Sequence, residues 1–372
     1  MKPPVVFVAL QTGALANGGL QSITEVMRQL KRHRPIALTN LDAHLAQSWR
    51  SHGIAVRVVP EQASHGLRRN PAGTLRTYRH YHQALAEIVR ESGARVIHAN
   101  DPLAFQLSVS TARFGKARIA LNLRDTLDPS RRPPRLKYRA MFATADHVFY
   151  LSHDMAERWR QVAPNATKAS SVTYSIVDPK RFAPSPAPSG AIPVVLVPGI
   201  FWAKKGQLDF IRNVVPKLAE NGVETWFAGD FEPEANAYAA ACAEAARPFT
   251  DRVRFLGFRS DLPELYGQAN VIAVPSRHEG LMRGMIEAMS CARPVVSFDV
   301  CSAREVLEDK DAGAVLALGD HDGMAKAIIR YASNRDLQGA AGQAGSSTAL
   351  DLFDPDKVVE RYERVYRALG EP

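Results

Sequence analysis

Short apolar runs alternate along this chain with stretches whose apolar residues recur every three or four positions. Val5–Leu10, Ile36–Leu38, Ala55–Val59, Arg95–Ala99 and Ile119–Leu123 read as strands in the first half. Val194–Val197, Glu224–Ala228, Val271–Val274 and Val295–Phe298 read as strands in the second. Between them lie helical stripes such as Leu20, Ile23, Met27 and Leu30. Runs apolar throughout suit strands covered on both faces, so the alternation predicts parallel, doubly wound α/β sheets.

Ala183-Pro184-Ser185-Pro186-Ala187-Pro188-Ser189-Gly190 is the clearest break in this pattern. With 372 residues, the chain exceeds the size at which a single core usually keeps growing. The expected organisation is a domain over 1–182, a linker over 183–192 and a domain over 193–353. A final helix over 354–372, striped by Val358, Val359, Tyr362, Val365, Tyr366 and Leu369, follows them.

Charge divides the halves. Residues 1–185 hold 27 Lys and Arg against 12 Asp and Glu; the rest hold 20 against 26. A basic half predicts an anionic substrate or surface. Arg68, Arg69, Arg76 and Arg79 interleave with Tyr78 and Tyr81, and Arg131, Arg132, Arg135, Lys137 and Arg139 form the densest run. No recognised nucleic-acid module accompanies these charges, so nucleic acid is not an expected partner. No apolar run approaches the ~18 residues that span a membrane. Lys2 and Val5–Leu10 read better as a first strand before a glycine-rich turn than as a secretory leader. Cys242, Cys291 and Cys301 show no metal or redox spacing, which fits a reducing, cytoplasmic compartment.

The most informative stretch is Glu279-Gly280-Leu281-Met282-Arg283-Gly284-Met285-Ile286-Glu287, after the strand at Val271–Val274. Leu281, Met282, Met285, Ile286 and Met289 predict a helix starting near Leu281. Its N-terminus would offer unpaired N–H groups to a phosphate, with one carboxylate at the mouth and another about 12 Å along. Taken alone, the spacing also fits an ordinary charged helix.

Together with Glu287-Ala288-Met289, Arg293-Pro294-Val295-Val296, the flank Val253–Tyr266 and Ala303-Arg304-Glu305-Val306, this stretch resembles the Glu-x7-Glu block of retaining glycosyltransferases of family 4. The likeness is specific in the second half and thinner in the first. It implies a GT-B fold, two Rossmann-like domains facing across a cleft, with the last helix returning to the first domain. It implies transfer of a sugar from a nucleotide sugar, uridine favoured over guanosine, to a glycan or glycolipid of the lipopolysaccharide or envelope-polysaccharide kind. Lys205, Gly280 and Leu281 would hold the diphosphate, Glu279 the donor sugar, Glu287 the ribose and Phe258 the base, while Gly18 and Gly19 would approach the donor. His98, Asn100, Arg124, Asp125, Arg131, Arg132 and Arg135 would lie on the acceptor side. No metal or other cofactor is expected, and peripheral contact with an anionic inner membrane face is. The chain departs from the pattern at Ile200, where an Arg is usual, and at Asn100, where a second His is. Those departures keep a nucleotide-sugar-binding protein without catalysis in view, beside a GT-B sugar-nucleotide epimerase. A nicotinamide-dependent oxidoreductase is disfavoured, because the glycine fingerprint of dinucleotide binders is missing.

Overall fold

The computed structural model describes residues 2–11, 18–60, 71–126, 135–163, 169–300 and 302–371. The chain divides into two compact units, Met1–Ile176 with Pro355–Pro372, and Val177–Asp354.

The first unit runs β1 (Pro4–Val8), α1 (Gly18–Gln29), β2 (Arg34–Thr39), α2 (His44–Ser51), β3 (Ala55–Val58), α3 (Pro71–Ser92), β4 (Val96–Ala99), α4 (Pro102–Phe114), β5 (Arg118–Leu123), α5 (Arg135–Thr144), β6 (His147–Tyr150), α6 (His153–Val162) and β7 (Ser170–Val172). In the second unit follow β8 (Val194–Pro198), α7 (Gln207–Asn213), α8 (Val215–Glu220), β9 (Glu224–Ala228), α9 (Ala237–Ala246), β10 (Val253–Phe255), α10 (Leu262–Gln268), β11 (Val271–Val274), α11 (Arg283–Ser290), β12 (Val295–Phe298), α12 (Ala303–Val306), β13 (Gly313–Leu316), α13 (His321–Ser333) and α14 (Arg335–Leu352). The last helix, α15 (Pro355–Gly370), belongs to the first unit.

Each unit is built on one parallel sheet. The first has the order β3-β2-β1-β4-β5-β6-β7 and the second β10-β9-β8-β11-β12-β13. Register centres on Val6, opposite Ile36 and Ile97, and on Ile272, opposite Leu196 and Val295. In both sheets the order reverses beside the first strand, and ligands of such sheets bind outside the carboxyl ends of the strands at that reversal. The first unit therefore presents the loops after β1 and β4, and the second those after β8 and β11.

The central strands are buried on both sides, which is why they read as unbroken apolar runs. α15 covers part of one face of the first sheet. Its Val358, Val359, Tyr362 and Tyr366 join Phe7, Trp49 and Phe149 in one core. Polar ties pin the same helix: Glu363 accepts the backbone N–H of His33 at 3.2 Å, and Asn122 donates to the Tyr362 hydroxyl at 3.2 Å.

The segment 177–192, which the sequence divides between the first domain and a linker, sits in the second unit. Arg181 donates to the Ser260 carbonyl at 3.1 Å, and the Phe182 ring lies 6.2 Å from that of Tyr266. Ser185 and Pro186 are held by Arg293. Cys242 and Cys291 are buried, and desolvation pushes both thiols up to about 12, so they remain protonated core residues.

His98 has no exposed surface, so it is a core residue and not a surface that meets an acceptor. Its ring centroid lies 5.0 Å from Phe7 and 5.6 Å from Phe149, and its Nδ1 lies 2.9 Å from the Tyr366 hydroxyl. Burial lowers its pKa to about 3, and that of His147 to about 4. Between those values and the ordinary 6.5, the unfolded chain binds protons that the folded chain refuses. Stability therefore falls as pH drops from 6.5 towards 4, by up to about 1.4 kcal/mol per pH unit for each histidine. Urea unfolding across that range should show the loss, and His98→Phe should make the slope shallower. An unchanged slope would remove His98 from the cause.

Candidate functional site

Most of the sequence-predicted residues that the structure brings together lie at the carboxyl edge of the second sheet. β8 ends at Pro198, and the chain turns through Gly199 to a short 3-10 turn at Ala203–Lys205. Gly199 and Gly206 both have positive φ, 142° and 74°. At Gly206 a Cβ would stand 2.0 Å from the Pro275 carbonyl oxygen, in the loop after β11. Only glycine fits, and the close approach brings the two loops beside each other. A second tie runs from the Arg277 N–H to the Lys204 carbonyl at 2.8 Å. We expect Gly206→Ala to cost about 1–3 kcal/mol by thermal unfolding, because strain and clash add. Unchanged stability would mean that the loop yields freely.

Across this junction Lys205 Nζ donates to Glu279 Oε1 at 2.7 Å, with the two side chains 16% and 10% exposed. The pair joins residues 74 positions apart, at the reversal between β8 and β11. Neighbouring loops are stitched to it: the Gly199 N–H donates to the Ala228 carbonyl at 2.8 Å and the Gly229 N–H to that of Gly257 at 3.0 Å. The Gly280 carbonyl accepts from Ser302 Oγ at 2.9 Å.

The helix beyond Glu279 starts later than its apolar stripe predicts. Met282 is extended at its head (φ −74°, ψ 121°), and α11 begins at Arg283. Leu281 and Met282 are buried because the loop packs inward, which explains why their apolarity mimics a helical face. Glu279 thus lies on the loop before the helix. Glu287 lies inside α11 and is held on both oxygens. Arg283 donates to Oε1 from Nε at 3.1 Å and from Nη2 at 2.9 Å, and the Tyr266 hydroxyl donates to Oε2 at 3.3 Å. Burial and then the Glu287 charge push the Tyr266 hydroxyl well above its ordinary pKa, so it stays a donor.

Phe258 follows Gly257 (φ 67°) and is 71% exposed. Ile200 and Trp202 are also exposed, and Lys204 Nζ lies 5.0 Å from the centre of the Trp202 ring. Arg283 was legible as an i, i+4 partner of Glu287; Tyr266, in α10, and Ser302, just before α12, left no such signal.

The first unit places its predicted residues separately. Gly18 and Gly19 open α1, where the Gly18 carbonyl accepts from Ser22 Oγ at 2.9 Å. Arg124 donates to Ser175 Oγ at 3.2 Å, and exposed Asp125 accepts the Thr126 N–H at 2.9 Å. Asn100 directly follows β4 and is buried; its Oδ1 and the Oε1 of buried Gln11, after β1, have no hydrogen-bond partner among the described residues. Arg131 and Arg132 lie outside the described residues, as do Arg68 and Arg69, while Arg135 opens α5.

A loop cation and a loop carboxylate at the reversal, with a second carboxylate held in the helix beyond, can meet a phosphate and hydroxyls together. Residues 192–334 match the family model for glycosyl transferases group 1. The lipopolysaccharide core biosynthesis glycosyltransferase LpsE of Rhizobium meliloti is 27% identical over 238 residues, 62% of this chain and 66% of LpsE. The N-acetyl-alpha-D-glucosaminyl L-malate synthase of Bacillus anthracis is 28% identical over 116 residues, 31% of this chain and 30% of the synthase. Both matches span less than two thirds of the relative's length. Among solved structures, Anabaena HepE in complex with UDP superposes with a TM-score of 0.82 at 20% identity, over 98% of this chain and 99% of HepE. The lipopolysaccharide outer core galactosyltransferase WaaB superposes with a TM-score of 0.72 at 15% identity, over 98% and 99%. Residues 192–334 therefore resemble a group 1 glycosyl transferase domain, in a chain with the GT-B fold.

Proposed function

We propose that this protein is a retaining glycosyltransferase that moves a sugar from a nucleotide diphosphate sugar to a glycan or glycolipid acceptor. The observation that carries the reading is the Lys205–Glu279 pair at the reversal of the second sheet, with Glu287 held beyond it. Lys205 meets the diphosphate and stabilises the charge that grows on it as the sugar leaves. Glu279, released from Lys205, accepts hydroxyls of the donor sugar. Glu287, oriented by Arg283 and Tyr266, accepts ribose hydroxyls. The leaving phosphate takes the acceptor's proton on the same face of the sugar, so no covalent nucleophile is needed and the anomeric configuration is kept.

A uridine nucleotide is the favoured donor base, with guanosine second; HepE was solved with UDP and with UDP-glucose. The first unit's basic excess favours an anionic, membrane-linked acceptor in lipopolysaccharide or envelope polysaccharide assembly, in line with the relatives named for lipopolysaccharide core biosynthesis. Among the described residues no helix is long and apolar enough to cross a membrane. If the first unit meets an anionic surface, replacing Arg131, Arg132 and Arg135 with Ser should weaken sedimentation with anionic vesicles; unchanged binding would remove the membrane from this reading.

The test of the donor site is thermal unfolding with UDP, GDP and ADP on the wild type and Glu287→Ala. A nucleotide at 100 times its dissociation constant should add about 2.7 kcal/mol to the wild type and far less to the variant. Release of that nucleoside diphosphate from its sugar conjugate should follow on adding acceptor. Binding without release would favour a nucleotide-sugar-binding protein, and no response to any nucleotide would overturn the reading.

A further inference from the structure

We propose that the first unit carries a second anion site, on the edge of its sheet opposite Gly18 and Asn100, that takes a small phosphomonoester. A groove of about 550 Å³ opens where α3 and α4 end and where β4 and β5 begin. That volume lies within the range of roughly 300–1,000 Å³ typical of small-ligand sites. Arg90, Arg95 and Lys116 line it, and among the described residues no carboxylate does. His82 and Thr111 bridge the two helices in its wall, with Nδ1 and Oγ1 2.9 Å apart. Phe114 lies 84% exposed at the same groove.

The simplest competing reading is that these cations merely offset helix C-termini. Those of α3 and α4 meet the groove, and Arg95 donates to the Gly370 carbonyl at the end of α15, at 3.3 Å. Each terminus carries about half a negative charge, so three of them neutralise roughly one and a half of the three cations. About one and a half positive charges remain, near a phosphomonoester's charge of roughly −1.5 to −2 at neutral pH.

Backbone geometry adds one observation. Lys116 adopts a left-handed conformation, φ 59°, just after α4. A left-handed residue is a common way to end a helix, and glycine takes that conformation at least cost. Here the position is a lysine, and its side chain lines the groove. Phe114 then offers an apolar surface to the body of the ester. Because the groove lies at the amino edge of the strands, its ligand does not compete for the donor site proposed above.

The test is calorimetric titration of inorganic phosphate and glucose 6-phosphate at fixed ionic strength. The proteins are the wild type, Arg90→Ala/Lys116→Ala, Lys116→Gly, Phe114→Ala and Lys205→Ala. We expect saturable binding of both anions to the wild type and equally to Lys205→Ala. Arg90→Ala/Lys116→Ala should weaken both by at least about 30-fold, as expected for losing two charge-assisted contacts. Phe114→Ala should weaken only the sugar ester. Lys116→Gly should weaken binding while raising the melting temperature, a combination that a purely structural lysine would not give. The proposal is overturned by no saturation up to about 10 mM, an affinity too weak for a built site. Loss of binding in Lys205→Ala would equally overturn it, by placing the anion in the second unit. So would binding seen only to phosphatidic acid vesicles, which would make the groove a lipid contact.

Discussion

Lys205→Ala is expected to lower kcat for sugar transfer by about 10²–10³, the effect of removing one donor aimed at developing charge in a shielded site. Lys205 Nζ sits 2.7 Å from Glu279 in a largely buried pair, where a charge acts far more strongly than in water. Lys205→Arg should not restore the rate. The Lys205 stem passes over Gly199, whose missing side chain would lie 3.8 Å from Cδ, so the longer, planar guanidinium has a different place to fit. Stability provides the internal control. Lys205→Ala removes the cation from a mostly buried carboxylate, so Lys205→Ala/Glu279→Ala should be more stable than Lys205→Ala while remaining inactive. Initial rates with a labelled nucleotide sugar and urea unfolding of the same samples would check both halves. A rate within threefold of the wild type would remove Lys205 from the chemistry.

Arg293→Ala is expected to cost about 3–5 kcal/mol of stability, the largest loss we anticipate from one side chain in the second unit. Arg293 is 2% exposed, and burial pulls its pKa below the usual arginine value. The partners recorded for its side chain are neutral oxygens. Nε donates to the Tyr266 carbonyl at 2.8 Å; Nη1 donates to those of Ser185 and Ala292, each at 3.1 Å. Nη2 donates to Ser185 Oγ at 2.8 Å and to the Pro186 and Gly267 carbonyls at 2.5 and 3.0 Å. The charge is solvated by fixed dipoles and ties the proline-rich segment at 185–186 to α10 and to the end of α11. Its removal leaves several buried acceptors without donors. Arg293→Lys should recover little, since an ammonium has three donors and no planar fork. A loss below 1 kcal/mol by calorimetry would show that water replaces the guanidinium.

Much of this architecture was legible because strand and helix periods are local. Val194–Val197, Val271–Val274 and Val295–Phe298 are apolar throughout because each is covered on both faces, and that suffices to read them as inner strands. The stripe Val358, Val359, Tyr362 and Tyr366 announced a packed final helix. The Glu279–Glu287 block was legible as a resemblance, and Lys205 with it. The true start of α11 was not, because Leu281 and Met282 are buried in a loop by contacts that mimic a helical face. What His98 does was open in the sequence. It depends on Tyr366, 268 residues away, returning with α15 to enclose it among Phe7, Phe149 and Tyr362. The partners of Glu279 and Glu287 were likewise decided by strand order, which sets the loop after β8 beside that after β11 and so brings Lys205 to Glu279 across 74 residues. By itself the sequence determined the elements, their parallel arrangement and the residue types offered to a ligand. Only the tertiary structure decided which of those residues meet, because pairing is set by non-local packing that no local period encodes.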